Sequence, residues 1–107
     1  MTVSGLLAHG FREVVLADGD REITGAYMGD LLSWVMGRAK ADCAWITIMS
    51  NLNVVAVASL ADTACVILTE GVELPEDVKK TAGERDVNIL STELPSYEAA
   101  VLLSQLI

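Results

Sequence analysis

Histidine, aromatic side chains and positive charge are all scarce in this chain, and each shortage closes off a class of function. The one histidine, His9, stands in a weak N-terminal helical stretch, so acid–base chemistry near neutral pH lacks its usual side chain. Seven basic residues face fifteen acidic ones, for a net charge of −8. Arg12, Arg21, Arg38, Lys40, Lys79, Lys80 and Arg85 are scattered and form no stripe along which a phosphate backbone could lie. Nucleic acid is therefore excluded as a partner, and an anionic membrane surface is disfavoured on the same ground.

Long apolar runs are missing too. The longest, Val54 to Leu60, falls far short of the roughly 20 residues that a membrane span requires. The opening MTVSGLLAHGFREVV has neither a basic start nor a cleavage site, so no signal peptide is expected. The two cysteines, Cys43 and Cys65, each stand beside alanine in an apolar run, without CxxC spacing. They read as buried thiols filling small core sites, in a reducing compartment, the cytoplasm. No GxxxxGK[ST] loop, no helix-opening GxGxxG and no zinc-like Cys/His spacing occurs. No catalytic residues, metal or cofactor are expected.

What is present is core material. Of 107 residues, 52% are apolar and 21% are charged, which suits one folded domain spanning 1–107. A core of that size is modest, and pairing with a second copy is a common way to enlarge it. Strand and helix patterns alternate throughout. Residues 2–9 read as a weak helix, 11–17 as a strand, Asp18-Gly19-Asp20 as a strong turn, and 22–27 as a second strand. Asp30 reads as the N-cap of a helix over 31–39 that presents Leu31, Leu32, Val35 and Met36 on one face, with Trp34 beside it.

Strands at 43–49, 64–69 and 87–90 then alternate with helices at 54–61, 76–84 and 97–106, the last capped by Ser96. The β-branched content of 54–61 makes strand a competing reading there. Strands joined through helices of this length cross over right-handedly into a parallel sheet. The expected architecture is a three-layer α/β/α domain with a mainly parallel central sheet.

In such sheets ligands bind at the carboxyl ends of the strands. That rule selects Gly29-Asp30, Ser50-Asn51 with Asn53, Thr69-Glu70-Gly71 and Ser91-Thr92 as candidate ligand-binding residues. Each also has a purely structural explanation. Asp30, Asn51, Asn53 and Ser96 suit helix caps, Gly71 suits a turn, and Thr69 and Thr92 suit strand ends. Asp30 and Glu70 are the carboxylates an enzyme would need, but nothing in the sequence brings them together.

Several of these segments resemble a known family. Thr24-Gly-Ala-Tyr-Met-Gly-Asp30, Trp45-Ile-Thr-Ile48, Ala64-Cys-Val-Ile-Leu-Thr-Glu-Gly71, Pro75-Glu-Asp-Val78 and Val87-Asn-Ile-Leu-Ser-Thr92 are similar to the DRTGG domain. Through it they resemble the N-terminal domain of HPr kinase/phosphorylase, especially over Leu68 to Thr92. The resemblance runs over residues 2–107. It implies a regulatory, dimer-forming module, in some members assisting adenine-nucleotide binding, with no kinase activity.

Asn51-Leu52 stands where the family has Asp-Arg, and Thr69-Glu70-Gly71 where it has Thr-Gly-Gly. Loss of an arginine and gain of a glutamate oppose an anionic ligand at this edge. The expected function is thus a non-catalytic regulatory or interaction module, a homodimer acting on a partner enzyme or redox complex. The alternative is a small-molecule sensor.

Overall fold

Four of five strands run in one direction, and the exception lies at a margin of the sheet. The computed structural model describes residues 1–107. After a short 3-10 helix at Ser4–His9 come β1 (Arg12–Val15), β2 (Gly25–Met28), α1 (Leu32–Arg38), β3 (Cys43–Thr47) and α2 (Leu52–Ala61). Then follow β4 (Cys65–Leu68), α3 (Glu76–Glu84), β5 (Ile89–Ser91) and α4 (Ser96–Leu106). The sheet order is β1-β5-β4-β3-β2, with β1 antiparallel to β5 and all other pairs parallel. The mainly parallel α/β architecture is as the sequence pattern implies.

Alternate residues of the inner strands feed two cores. Trp45, Val66, Leu68 and Ile89 pack with Val35 of α1, Val54, Val55 and Ala58 of α2, and Val78 and Ala82 of α3. Ala44, Ile46, Cys65, Ile67 and Leu90 pack with Leu103 of α4 and Leu6 of the 3-10 helix. Strands buried on both faces have no polar side to alternate with, which is why residues 43–46 and Cys65–Leu68 read as unbroken apolar runs. The same burial makes α2 a helix despite its valines, because Val54, Val55 and Val57 all pack inward.

Burial also decides the thiols. Cys65 is sealed in the sheet, and removal from water pushes its thiol up to about 12. Cys43 shifts in the same direction for the same reason.

Several local expectations need correcting. The Asp18-Gly19-Asp20 turn is present, but it does not join a hairpin. The strands on either side of it lie at opposite margins of the sheet. The stretch expected as a strand over 22–27 is a strand only at Gly25–Met28, with Glu22 in an isolated bridge to Thr2. Of the stripe foreseen on α1, Val35 is buried and Leu32 packs against the core, while Leu31 and Met36 stay exposed.

The amino end of the sheet is braced by one side chain. Arg21 donates to Asp42 Oδ1 through Nε at 3.0 Å and Nη2 at 2.9 Å, and through Nη2 to Asp62 Oδ1 at 2.8 Å. Burial works against the Arg21 charge, but the hydrogen bonds to Asp62 and Asp42 outweigh it and raise its pKa. Both aspartates adopt positive φ at the turns entering β3 and β4, so the clamp holds two tight left-handed corners together. No helix is long and apolar enough to cross a membrane.

Candidate functional site

The parallel strands bring Gly29-Asp30, Ser50-Asn51, Thr69-Glu70-Gly71 and Ser91-Thr92 to the same edge of the sheet, each just after or at the end of its strand. They form two groups.

The β2–β3 group centres on Asp30. Its side chain does not cap α1, because Leu31 occupies that position without any side-chain bond. Asp30 Oδ1 instead accepts from Thr47 Oγ1 at 2.7 Å and from the Ile48 N–H at 3.2 Å. Trp45 Nε1 donates to the Gly29 carbonyl at 2.9 Å, tying the same corner from below. Asn51 does cap α2, its Oδ1 accepting from the Asn53 N–H at 3.1 Å. Asn53 itself is no cap and lies exposed in the first turn of α2. Around these polar groups Met28, Leu31, Ile48 and Leu52 each leave about half their surface in solvent.

The β4–β5 group is polar and closed on itself. Thr69 and Ser96 share a hydroxyl–hydroxyl hydrogen bond of 2.6 Å. Ser96 is therefore not an N-cap; it is the first residue of α4, and its N–H donates to Glu70 Oε2 at 3.1 Å. A carboxylate at a helix amino end complements the free N–H groups there. Glu70 and Gly71 both have positive φ, 61° and 68°, a conformation natural to glycine and costly for glutamate. That geometry gives the family's Gly-Gly its physical reason. The two amides at this turn are already engaged, Glu70 with the Leu94 carbonyl and Gly71 with that of Thr92. Thr92 Oγ1 accepts from the Leu94 N–H.

Beside this turn, between β1 and the loop entering α3, lies a cleft of about 540 Å³ lined by Arg12, Gly71, Glu73, Glu76, Ser91 and Glu93 among others. Arg12 Nη2 donates to Glu93 Oε1 at 2.7 Å across its rim. Ser91 is nine-tenths buried and lines this cleft. Of the candidate residues, Gly71 and Ser91 line it, and Gly29, Asp30, Ser50, Asn51, Asn53, Thr69, Glu70 and Thr92 do not.

Asp30 and Glu70 are anchored on different partners at the ends of β2 and β4. Two strand spacings, about 10 Å, separate those strands. The two carboxylates therefore do not form an acid–base pair.

Sequence reasoning missed Thr47, Arg12 and Glu93. Thr47 carried a readable signal, as the hydroxyl that ends the otherwise apolar run of β3. Arg12 and Glu93 carried none, being 81 positions apart.

The strand ends of this open α/β sheet carry hydrogen-bonded corners, with Asp30 and Glu70 held apart on different partners. The DRTGG domain model matches residues 29–106, well over half of the chain, and the protein belongs to that family of regulatory domains. The matched segment begins at Gly29, so β1 and β2 precede it. No curated protein matches the chain.

Proposed function

We propose that this protein is a non-catalytic regulatory module that works as a homodimer on a partner enzyme or complex in the cytoplasm. The observation that carries this reading is the distribution of exposed apolar side chains. Six of the ten exposed large apolar residues, Met28, Leu31, Trp34, Met36, Ile48 and Leu52, are about half exposed and belong to the β2–α1 side or the adjoining ends of β3 and α2. The other four, Leu60, Tyr97, Val101 and Ile107, lie at the far end of α2 and along α4. Monomeric proteins rarely leave such a concentration in water, and exposed apolar patches mark protein contacts. The polar half of the edge supports the same reading. Glu70 already fills the amino end of α4, where an anionic nucleotide would seek its N–H groups.

Size-exclusion chromatography with light scattering at micromolar concentration tests the proposal. The expected mass is twice the 11.4 kDa of the chain. A strict monomer overturns the homodimer.

One observation favours a second reading, a small-molecule sensor. The cleft beside Gly71 holds Ser91 at its wall and four glutamates, Glu13, Glu73, Glu76 and Glu93, against two cations, Arg12 and Lys79. A cationic or uncharged metabolite suits that balance, and an adenine nucleotide does not. In a thermal-shift screen a true ligand at 100 times its Kd stabilises the fold by about 2.7 kcal/mol. Adenine nucleotides are expected to give no shift, and a clear shift with them would contradict the charge argument.

A further inference from the structure

The two margins of the sheet are built differently. β1 carries Arg12 and Glu13 and breaks register between Glu13 and Val15, so its outer side is charged and irregular. Charge and bulges are the devices by which edge strands avoid pairing with other chains. β2 has neither. Gly25-Ala26-Tyr27-Met28 is uncharged and runs in unbroken register with β3, and no strand pairs with its outer side.

Both faces beside β2 are apolar as well. Met28 pairs in register with Ile46 of the α4-side core and projects on that face, 54% exposed. On the other face stands Trp34 of α1, 52% exposed, with the Arg38 guanidinium stacked 3.7 Å from its ring centroid. Arg38 lines a cavity of about 320 Å³ together with Gly25, Ala26, Tyr27 and Lys40, which places the Trp34–Arg38 flank of α1 along the β2 margin. Tryptophan and arginine are the residues most enriched among interface hot spots.

Charge selects the occupant. Two copies of a chain with net charge −8 repel over most of their surfaces, yet between Thr24 and Gly37 the only charged residue is Asp30. The cavity at the amino end of β2 holds Arg38 and Lys40 and no carboxylate, and neither cation forms an ion pair. Asp30 lies past the carboxyl end, with only Oδ1 engaged. A two-fold axis between the two β2 strands sets the amino end of one beside the carboxyl end of the other. Arg38 and Lys40 of each protomer then meet Asp30 of its partner at both ends of the interface.

We infer that a second copy docks by antiparallel pairing of β2 with β2, joining two five-stranded sheets into one, with Trp34 and Met28 covering the seam. This inference rests on the homodimer reading and specifies its surface.

The test compares the full chain with Ala26→Lys on the outer strand and Glu13→Lys on β1 as control, by sedimentation velocity over a concentration series. Ala26→Lys sets like charges together at the two-fold and raises the dimer dissociation constant roughly 100-fold. Glu13→Lys leaves it unchanged. Ala26 is exposed, so the helical circular dichroism and melting profile of the Lys variant at monomer concentrations match the parent.

As a second readout, Ala26→Cys is treated with a short bis-maleimide. Because Cys43 and Cys65 are buried, it yields a covalent dimer through position 26 alone. A parent chain that is monomeric overturns the homodimer and this inference together. A parent dimer that survives Ala26→Lys, or that fails to link through Ala26→Cys, overturns the β2 seam and leaves the homodimer standing.

Discussion

The two halves of the strand-end edge solve opposite problems with the same fold. At β4–β5 the chain uses its own carboxylates: Glu70, standing where the family has glycine, reaches Ser96, and Glu93 reaches Arg12. That half is complete within one molecule. At β2–β3 the polar groups are few and paired, the apolar ones stay in solvent, and the neighbouring strand has an open side. In the proposed homodimer a second copy covers that half. On that proposal, an edge closed by internal hydrogen bonds and an edge left open to a second copy make a module whose output is an assembly.

The largest effect that can sharpen this contrast acts on the core between the halves. Cys65 has a folded pKa of about 12 against an ordinary 9.0, so the folded state holds its proton where the unfolded chain has lost it. Its contribution is complete below pH 9 and is lost as pH rises from 9 towards 12, at up to about 1.4 kcal/mol per unit. Alkaline melting should therefore fall steeply in that window and flatten in a Cys65→Ser or Cys65→Ala variant. Both halves collapse together here, which distinguishes unfolding from loss of the seam.

Next in size is Trp34→Ala. Truncating a central aromatic anchor costs about 2 kcal/mol of association, roughly thirtyfold in the dissociation constant. Trp34 is half exposed in the monomer, so the melting temperature of the dissociated chain should scarcely move. A large loss of monomer stability would instead make Trp34 a core residue.

The smallest effects probe the closed half. Glu70→Ala keeps the strained φ and loses the bond to the Ser96 N–H, for a loss of about 1 kcal/mol. Glu70→Gly loses the same bond but relieves the backbone by a similar amount, about 1 kcal/mol, and should be close to neutral. Urea denaturation of the pair measures the difference. Equal losses in both would remove strain from the account of this turn.

Much of this molecule is legible in its sequence, and the parts that are not share a cause. The inner strands and their helices declare themselves because double-sided burial writes unbroken apolar runs at 43–46 and 65–68. The order β1-β5-β4-β3-β2 does not, since the turn at Asp18-Gly19-Asp20 suggests local pairing, whereas Gly25 pairs with Cys43 and Arg12 with the distant Ser91. The candidate site divides along the same line. Asn51 capping α2 is a two-residue event and is read correctly. Asp30 and Ser96 look like caps by type and position, yet each is claimed by a residue from a neighbouring strand, Thr47 and Thr69. Side chains at strand ends answer to the next strand over, and a linear sequence does not name it.

Amide hydrogen exchange along β2 and β1 tests the central contrast most directly, because the two margins are compared within one sample. At concentrations above the dimer dissociation constant the outward amides of Gly25–Met28 should be protected, and that protection should fade on dilution while Arg12–Val15 stays unchanged. Equal exchange at both margins, independent of concentration, would contradict the account.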